Sequence, residues 1–359
     1  MLPVLIRAMA NAEGYRFRDK VLDPNRRMVV YEFVPPEWHT ALPALRRSAR
    51  TLVQTLVGFP DVDAVYVPQV IEEEGSGSST WRPDRVPARQ FASHVRKAYM
   101  DRQKERERRG DPPEPQEKEL IVSEIFPYLP REQADEWLVE TGTRYRIGNV
   151  VVVGASKERR DFPGYRVAEA AGAIQRLNGE GRTKLFAGGI AMDLRRRTEG
   201  MDEPARMVEK TKAGIQYFFT QIWYDPGSMI RLLQDYCDEC DRQGTEPRRV
   251  FLGLSPISSE GTLRIIEDLR RTPVEDWVKE RIFQRTNGKK GSVGNRSIEQ
   301  IEEALRRVFD YAYRNRLAVP LGVCVEHVTE SNFRHTYELL QRVPELWKEE
   351  YHPDSDVPY

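Results

Sequence analysis

Eight short runs of β-branched and aromatic residues recur along the chain, and each is followed by a longer segment whose apolar residues repeat with helical spacing. Several runs are continuously apolar, as is typical of strands buried on both faces of a parallel sheet. The runs cover 28–33, 63–67, 120–125, 149–153, 184–188, 216–221, 249–254 and 319–326. The helical segments cover about 40–57, 87–107, 130–143, 165–178, 202–214, 226–242, 261–284 and 297–316, with a final helix at 331–342. This alternation predicts a closed (β/α)8 TIM barrel, with an open doubly wound sheet as the alternative.

The eight repeats define one catalytic domain at 28–343, because a (β/α)8 barrel routinely uses about 250 residues or more as a single domain. The polar, proline-containing ends, 1–27 and 344–359, are interpreted as an N-terminal extension and a C-terminal tail. Within the barrel, the segment at about 101–118 is almost wholly charged or Pro/Gly. It predicts the end of a helix that runs into a solvated loop.

The composition argues against several classes of binding partner. Lys plus Arg and Asp plus Glu both total 56, so the formal net charge is zero, which argues against a nucleic-acid partner bound through its phosphates. No apolar run is long enough to span a bilayer, so no membrane partner is expected. The three cysteines of the chain carry no secretory context, which favours a reduced, cytoplasmic protein. Cys237 and Cys240 lack a second Cys/His pair at ligand spacing, so no metal site is expected.

The first predicted strand carries a glutamate near its C-terminal end, where a barrel builds its active site. Glu32 lies within an apolar run, and an ionised carboxylate there is costly unless it is partnered. Two readings remain open from position alone. Glu32 is either a core ion-pair partner of an arginine, or a general acid whose pKa burial has raised towards neutrality.

The sixth predicted strand ends in a glutamine among aromatic residues. The amide of Gln221 offers a donor and an acceptor, and Phe219 and Tyr224 offer stacking surfaces, so this end of the strand suits a planar heterocycle. The alternative is that the aromatic rings belong to the core and that Gln221 caps a loop.

Small residues follow the fourth and fifth predicted strands. Gly154 and Ser156 could admit a phosphate to free backbone N–H groups, and Gly188 permits close approach of a ligand or simply makes a turn. The eighth strand carries Glu326 and His327, which as neighbours on a strand point to opposite faces and therefore do not form a direct acid–base pair.

Five blocks of sequence occur in order between residues 28 and 330: YEFVPP, NVVVVGAS, FAGGI, DEPARMVEKTKAGIQYFFTQIWYD and LGLSPISSEGTL. The first resembles the E-F-x-P-P signature at the end of strand one in the methylenetetrahydrofolate reductases. The fourth is the most specific, since it matches E-P-x-R, K-x-x-A-G and F-x-T-Q-x-x-Y-D of that family in one stretch. The resemblance implies a (β/α)8 barrel enzyme that acts on folate one-carbon units.

The resemblance also implies roles for single residues. Glu32 would be the general acid that activates the methylene bridge of the folate as an iminium. Gln221 would form hydrogen bonds to the pterin ring, and Lys210 occupies the position of a lysine that helps to bind the flavin phosphates.

The chain departs from the flavin-dependent members in two places. They carry R-G-D after strand four, whereas the matching residues here are Gly154, Ala155 and Ser156. A histidine expected after strand five is replaced within 190–193. The stretch VPQVIEEEGSGSSTWRP resembles the flavin-free branch of the family, in which nicotinamide reduces the folate directly. We therefore expect NAD(P)H as the reductant and weak or absent FAD binding.

The sequence thus predicts an oxidoreductase that reduces 5,10-methylenetetrahydrofolate to 5-methyltetrahydrofolate, with a tetrahydrofolate derivative as its small-molecule substrate and homo-oligomer formation left open. One alternative is a folate-binding barrel that transfers a methyl group to or from a corrinoid partner. Another is a non-catalytic paralogue that kept the scaffold, since a fold does not fix a function.

Overall fold

The computed structural model describes residues 15–73, 81–112, 117–155, 162–192, 200–284 and 292–350. Its strands are β1 (Val29–Phe33), β2 (Val62–Val67), β3 (Ile71–Glu73), β4 (Trp81–Pro83), β5 (Glu119–Ile125), β6 (Asn149–Val153), β7 (Phe186–Ala191), β8 (Tyr217–Ile222), β9 (Arg249–Leu254) and β10 (Leu321–His327). Eight of them form a closed barrel in the order β1-β10-β9-β8-β7-β6-β5-β2, and β3 pairs with β4 in a separate antiparallel hairpin. The predicted (β/α)8 barrel is confirmed, and the open-sheet alternative is wrong.

The helices alternate with the barrel strands. They are α1 (Tyr15–Leu22), α2 (Leu42–Val57), α3 (Ala88–Arg109), α4 (Arg131–Thr143), α5 (Val167–Gly179), α6 (Glu203–Lys212), α7 (Pro226–Arg242), α8 (Glu260–Arg270), α9 (Asp276–Phe283), α10 (Val293–Arg314) and α11 (Phe333–Glu350). The single helix expected at 261–284 is divided into α8 and α9. Arg271 adopts a left-handed conformation with φ 57°, and Pro273 follows two residues later. A left-handed residue ends a helix, and proline disfavours the helical conformation of the residue before it.

The chain divides into two compact units, which are described separately. Unit 1 comprises Met1–Arg26 and Val34–Gly189, and unit 2 comprises Arg27–Phe33 and Ile190–Tyr359. Within the described residues, no helix is both long enough and apolar enough to cross a membrane.

In unit 1, part of the predicted N-terminal extension is folded. Helix α1 buries Phe17 and Val21, which are 1% and 3% exposed. The backbone N–H of Phe17 donates to Glu119 Oε1 at 2.5 Å, and Lys20 pairs with Asp63 at 2.5 Å. These contacts fasten α1 to the N-terminal ends of β5 and β2.

In unit 2, α11 continues beyond its predicted end at residue 342. It passes through Pro344 and buries Leu346 and Trp347, so its last turns lie in the range that we assigned to the C-terminal tail. The Trp347 ring stacks on Phe309 of α10 with centroids 5.1 Å apart. Apolar packing of this kind stabilises a helix despite the hydrogen bond that an internal proline removes.

Candidate active site

The sequence-predicted general acid has a second carboxyl group beside it. Strands β1 and β10 run parallel, and their register places Glu32 opposite Glu326. Residues that face each other across adjacent strands project from the same face of a sheet. Glu32 and Glu326 therefore form a pair of acids at the C-terminal ends of two neighbouring strands in unit 2, the end at which barrel enzymes place their catalytic groups.

Burial changes the acidity of both carboxyl groups. Desolvation raises the pKa of Glu32 to about 8. The pKa of Glu326 is raised well above its ordinary value, mainly by desolvation and to a smaller extent by the neighbouring charge of Glu32. Glu326 is 9% exposed, whereas Glu32 keeps more contact with solvent. The pair therefore retains protons at neutral pH, and Glu32 is the member that a substrate can reach.

A glycine and a cysteine pack against the two carboxyl groups. A Cβ atom on Gly253 of β9 would lie only 2.4 Å from Glu326 Oε1, so only glycine leaves room for this carboxyl group. The Cys324 thiol donates to Glu32 Oε2 at a sulfur–oxygen distance of 3.9 Å. Burial, together with the charges of both glutamates, raises the pKa of Cys324 well above its ordinary value, so the cysteine stays a neutral thiol.

A short hydrogen-bond network holds the backbone of Glu326. The Ser255 hydroxyl donates to the Glu326 carbonyl at 2.9 Å, and the Asn332 side-chain amide donates to Ser255 Oγ at 3.1 Å. The Tyr224 hydroxyl donates to the Ser255 carbonyl at 2.6 Å. All these groups are buried, and buried satisfied networks are rigid. The position of Glu326 is therefore fixed by contacts from three loops.

His327, the neighbour of Glu326 along the chain, packs against aromatic rings. The His327 ring packs between Phe33 and Phe333, with centroids 5.1 Å and 5.3 Å away. Desolvation lowers the pKa of His327 to about 4, so the ring is neutral at physiological pH. The prediction that Glu326 and His327 do not form a direct dyad is confirmed.

The predicted pterin-binding glutamine follows an irregularity in β8. Phe219 pairs with Phe251, but Ile222 pairs with Gly253, so β8 has one residue more than β9 between these positions. A bulge of this kind redirects side chains. The Gln221 amide donates to the Arg270 carbonyl at the end of α8 at 3.2 Å, while its Oε1 is buried with no hydrogen-bond partner among the described residues.

The aromatic residues predicted to stack on a heterocycle are buried in the structure. The Phe219 ring stacks on Phe251 with centroids 4.9 Å apart and meets Tyr217 edge-on. Tyr224 is 0% exposed, and the Arg270 guanidinium lies 5.7 Å from the centre of its ring. Both predicted residues therefore already pack on protein groups, and a heterocycle would need these side chains to move in order to stack on them.

A small cavity lies beside Gln221. Its volume is about 20 Å³, and Thr220, Trp223 and Glu275 line it together with Gln221. Among the described residues, Trp223 Nε1 and Glu275 Oε2 have no hydrogen-bond partner, as is also the case for Gln221 Oε1. A space of this size holds one water molecule, which has the bonding capacity for these three groups. A pterin is much larger, so binding at Gln221 would require the cavity to open.

Lys210, which the resemblance connects to flavin phosphates, lies in a buried ion pair. Its Nζ atom donates to Glu203 Oε1 at 2.7 Å and to the Ile190 carbonyl at 2.8 Å. Lys210 is 8% exposed and Glu203 is 1% exposed. A lysine on a barrel helix is ordinarily solvated, whereas Lys210 is buried and its ammonium charge is already neutralised by a carboxylate.

The remaining predicted cofactor-binding residues belong to unit 1. Gly154 follows β6, and a Cβ atom there would lie 3.2 Å from Val167 at the start of α5. Gly188 lies within β7, where it pairs with Val151, because β7 extends further than predicted. Ser156 lies outside the described residues. Close packing against α5 thus gives Gly154 a structural reason to be small.

Unit 1 also contains a buried glutamate, which the sequence analysis did not single out. Glu124 near the end of β5 is 7% exposed, and its Oε1 accepts the backbone N–H of Ile125 at 2.9 Å. Desolvation raises its pKa to about 7, against the opposing effects of this hydrogen bond and of Arg89. Within the described part of the chain, no group of three or more His, Cys, Asp or Glu residues is arranged to hold a metal ion.

No protein-family model and no curated protein matches the chain. Among solved structures, the chain is similar to an uncharacterized protein from Clostridium thermocellum that binds two copies of 5-methyl-5,6,7,8-tetrahydrofolic acid. The TM-score is 0.70 at 14% identity, covering 92% of this chain and 99% of that one. Two weaker likenesses are a 2,3-dimethylmalate lyase (TM-score 0.43, 11% identity, 95% and 89% covered) and an oxaloacetate acetylhydrolase (0.45, 11%, 96% and 92%). At 14% identity, the first of these similarities establishes the fold alone.

Proposed function

We propose that the protein reduces 5,10-methylenetetrahydrofolate to 5-methyltetrahydrofolate with NAD(P)H. The observation that carries the proposal is the Glu32 carboxyl group at the C-terminal end of β1, which faces Glu326 and whose pKa is raised by burial to about 8. A general acid is most effective when its pKa is near the working pH. Among the described residues, no lysine or arginine forms an ion pair with Glu32, so the competing reading as a core ion pair has no support.

The nature of the ligand rests on two further supports. The structural neighbour from Clostridium thermocellum, which spans nearly the same length, binds 5-methyl-5,6,7,8-tetrahydrofolic acid, the product of the proposed reaction. The order of the sequence blocks, with Glu32 in the first and Gln221 in the fourth, resembles the methylenetetrahydrofolate reductases. Both supports favour a folate over the dicarboxylic acids named for the weaker neighbours, whose TM-scores are below 0.5.

The reaction requires one proton and one hydride. When bound, the nicotinamide supplies the hydride to the methylene carbon. Glu32 supplies the proton to the folate nitrogen that leaves this carbon, so that the bridge opens to an iminium able to accept the hydride. Glu32 is left as a carboxylate and recovers its proton from solvent. The protein orients the reactants and moves the proton.

Two features argue against a tightly bound flavin. Lys210 already pairs with Glu203, so a flavin phosphate would have to compete with a buried carboxylate for this ammonium group. The aspartate expected near a flavin ring is replaced in the sequence, where Gly154, Ala155 and Ser156 occur. We therefore propose NAD(P)H as a dissociable substrate and weak or absent binding of FAD.

For the folate, we propose that the pterin binds beside Gln221, where the water-sized cavity would enlarge to hold it. Its ring edge would satisfy Gln221 Oε1, which has no partner among the described residues. This requires Trp223 or Glu275 to move, because the present volume is about 20 Å³. Side-chain rotamer changes of this kind are common on binding.

The proposal is tested by the oxidation of NADH or NADPH with methylenetetrahydrofolate, with and without added FAD, and by chromatographic identification of 5-methyltetrahydrofolate. We expect turnover without FAD from colourless protein. No product under any of these conditions would overturn the reductase assignment. Product formed only by yellow protein, or only after FAD is added, would overturn the flavin-free part alone.

A further inference from the structure

The proposed acid, Glu32, is paired with a second carboxyl group, that of Glu326, which has no role in the reaction described above. Glu326 faces it in the β1–β10 register, and within the described residues neither carboxyl group has a lysine or arginine ion-pair partner. Two carboxylates without a cation repel each other strongly in a poorly hydrated site, so such pairs rarely ionise together. Once Glu32 gives up its proton, Glu326 must therefore remain protonated.

Several observations identify Glu326 as the member that stays neutral. It is more deeply buried than Glu32, and it occupies the slot left by the missing side chain of Gly253. Among the described residues, the ionisable groups that interact with it are Glu32, the neutral thiol of Cys324 and the hydroxyl of Tyr224. None of these is a cation that would stabilise an ionised Glu326.

The position of Glu326 is also set independently of Glu32. Its carbonyl is held by Ser255, which is held in turn by Asn332, and its carboxyl group is confined above Gly253. A side chain fixed in this way loses little further freedom when it forms a hydrogen bond. A protonated carboxyl group fixed beside a developing carboxylate is suited to donate a hydrogen bond to it.

We propose that Glu326 is a positioning residue that stays protonated and donates a hydrogen bond to the carboxylate that Glu32 becomes when it gives its proton to the substrate. The role in turnover rests on the proposed reductase function. The titration of the two carboxyl groups does not, because it can be measured on the folded chain without a substrate.

A glutamine at position 326 distinguishes this role from that of a charged partner, because its amide is a permanently neutral donor of nearly the same shape. In Glu326→Gln, the pKa of Glu32 should equal the lower of the two apparent pKa values of the wild-type pair. In Glu326→Met, which has similar length but no donor, the carboxylate of Glu32 loses its hydrogen bond and its pKa should rise further.

The titration is followed by carbon NMR of the full-length protein with carboxyl-labelled glutamate, and the two signals are assigned by their loss in Glu32→Gln and Glu326→Gln. The matched control is Glu124→Gln, which removes another buried carboxyl group and should leave the Glu32 titration unchanged. A Glu32 titration that falls towards the ordinary range in Glu326→Gln would overturn the proposal, since it would show that Glu326 had been charged. If the Met variant does not fold, the Gln variant alone decides in the same way.

The role in turnover is read from the rate of methylenetetrahydrofolate reduction against pH. Glu326→Gln should remain within a few-fold of the wild type, whereas Glu326→Met should be slower by about 10- to 100-fold, the size expected for a hydrogen bond to a charged group. Equal losses in both variants would overturn the donor role. If the wild type does not reduce the folate at all, the reductase function fails, and the NMR titration still decides the state of Glu326.

Discussion

The glycine beneath the carboxyl pair gives a sharp test of the site geometry. In Gly253→Ala, the added methyl carbon would lie 2.4 Å from Glu326 Oε1 and 2.9 Å from the Thr220 carbonyl oxygen. Both distances are well inside the roughly 3.5 Å at which non-bonded atoms pack. The Glu326 carboxyl group can rotate away, but the Thr220 carbonyl belongs to the backbone of β8, so the strand itself must shift.

Overpacking that forces such a shift costs about 1–3 kcal/mol of the free energy of unfolding. We expect the upper half of this range, because Gly253 also receives a hydrogen bond at its carbonyl from Trp223 and donates one to Thr220 Oγ1 at 2.9 Å. A displaced β9 would weaken both bonds. The same substitution also moves the Glu326 carboxyl group, so the Glu32 titration should change together with stability.

The assay is urea unfolding followed by circular dichroism, compared with Gly172→Ala as the matched control. Gly172 lies inside α5, and a Cβ atom there would have no neighbour within 4 Å. Alanine should stabilise that helix by about 0.5–1 kcal/mol, so one substitution type is expected to act with opposite signs at two positions. A Gly253→Ala variant that unfolds at the wild-type urea concentration, with Glu32 titrating normally, would refute the packing described here.

Three further outcomes follow from the buried polar groups. Burial raises the pKa of Glu124 from 4.5 to about 7, so the folded state binds this proton more tightly than the unfolded state, and its stabilising effect is complete below about pH 4.5 and is lost as the pH rises to about 7. The loss should be about 3 kcal/mol, and urea unfolding at several pH values should show it as a difference in pH dependence between the wild type and Glu124→Gln, because the raised pKa of Glu32 contributes equally to both proteins. Lys210→Met leaves Glu203 buried without its main partner, at a cost of about 3 kcal/mol or more, and a melting curve like that of the wild type would contradict the ion pair. All three cysteines are buried and have raised pKa values, so mass spectrometry should find no labelling of the native protein by iodoacetamide near neutral pH and full labelling after unfolding.

Much of the fold could be predicted from the sequence because buried parallel strands leave a strong local signal. The runs at 149–153 and 249–254 coincide with β6 and β9 as observed. The division of α8 from α9 was missed, although Pro273 was visible in the sequence. A left-handed residue such as Arg271 carries no clear signal of its own, because non-glycine residues rarely adopt that conformation.

The candidate site was predicted only in part. Glu32 stood out because a charged residue interrupts an apolar strand. Its neighbour Glu326 was seen but compared only with His327, the adjacent residue along the chain. Closure of a barrel brings the last strand beside the first, and this rule alone would have suggested the pair.

Other features depend on tertiary contacts that no local pattern reports. The bulge between Phe219 and Ile222 redirects Gln221 towards α8. Burial of Lys210 depends on Glu203, which lies seven residues earlier on the same helix. A pattern of helical periodicity shows which face is apolar, but not which charged residue the packed neighbour will cover.

The proposed role of Glu32 as the proton donor in folate reduction is tested by the rate at which Glu32→Gln reduces methylenetetrahydrofolate. Glutamine keeps the shape and hydrogen-bonding capacity of the side chain but cannot give up a proton in this way. We expect a rate lower by about 10²–10⁴-fold, with little change in melting temperature, because general acid catalysis typically contributes this factor. A folded Glu32→Gln variant that reduces the folate at close to the wild-type rate would contradict it.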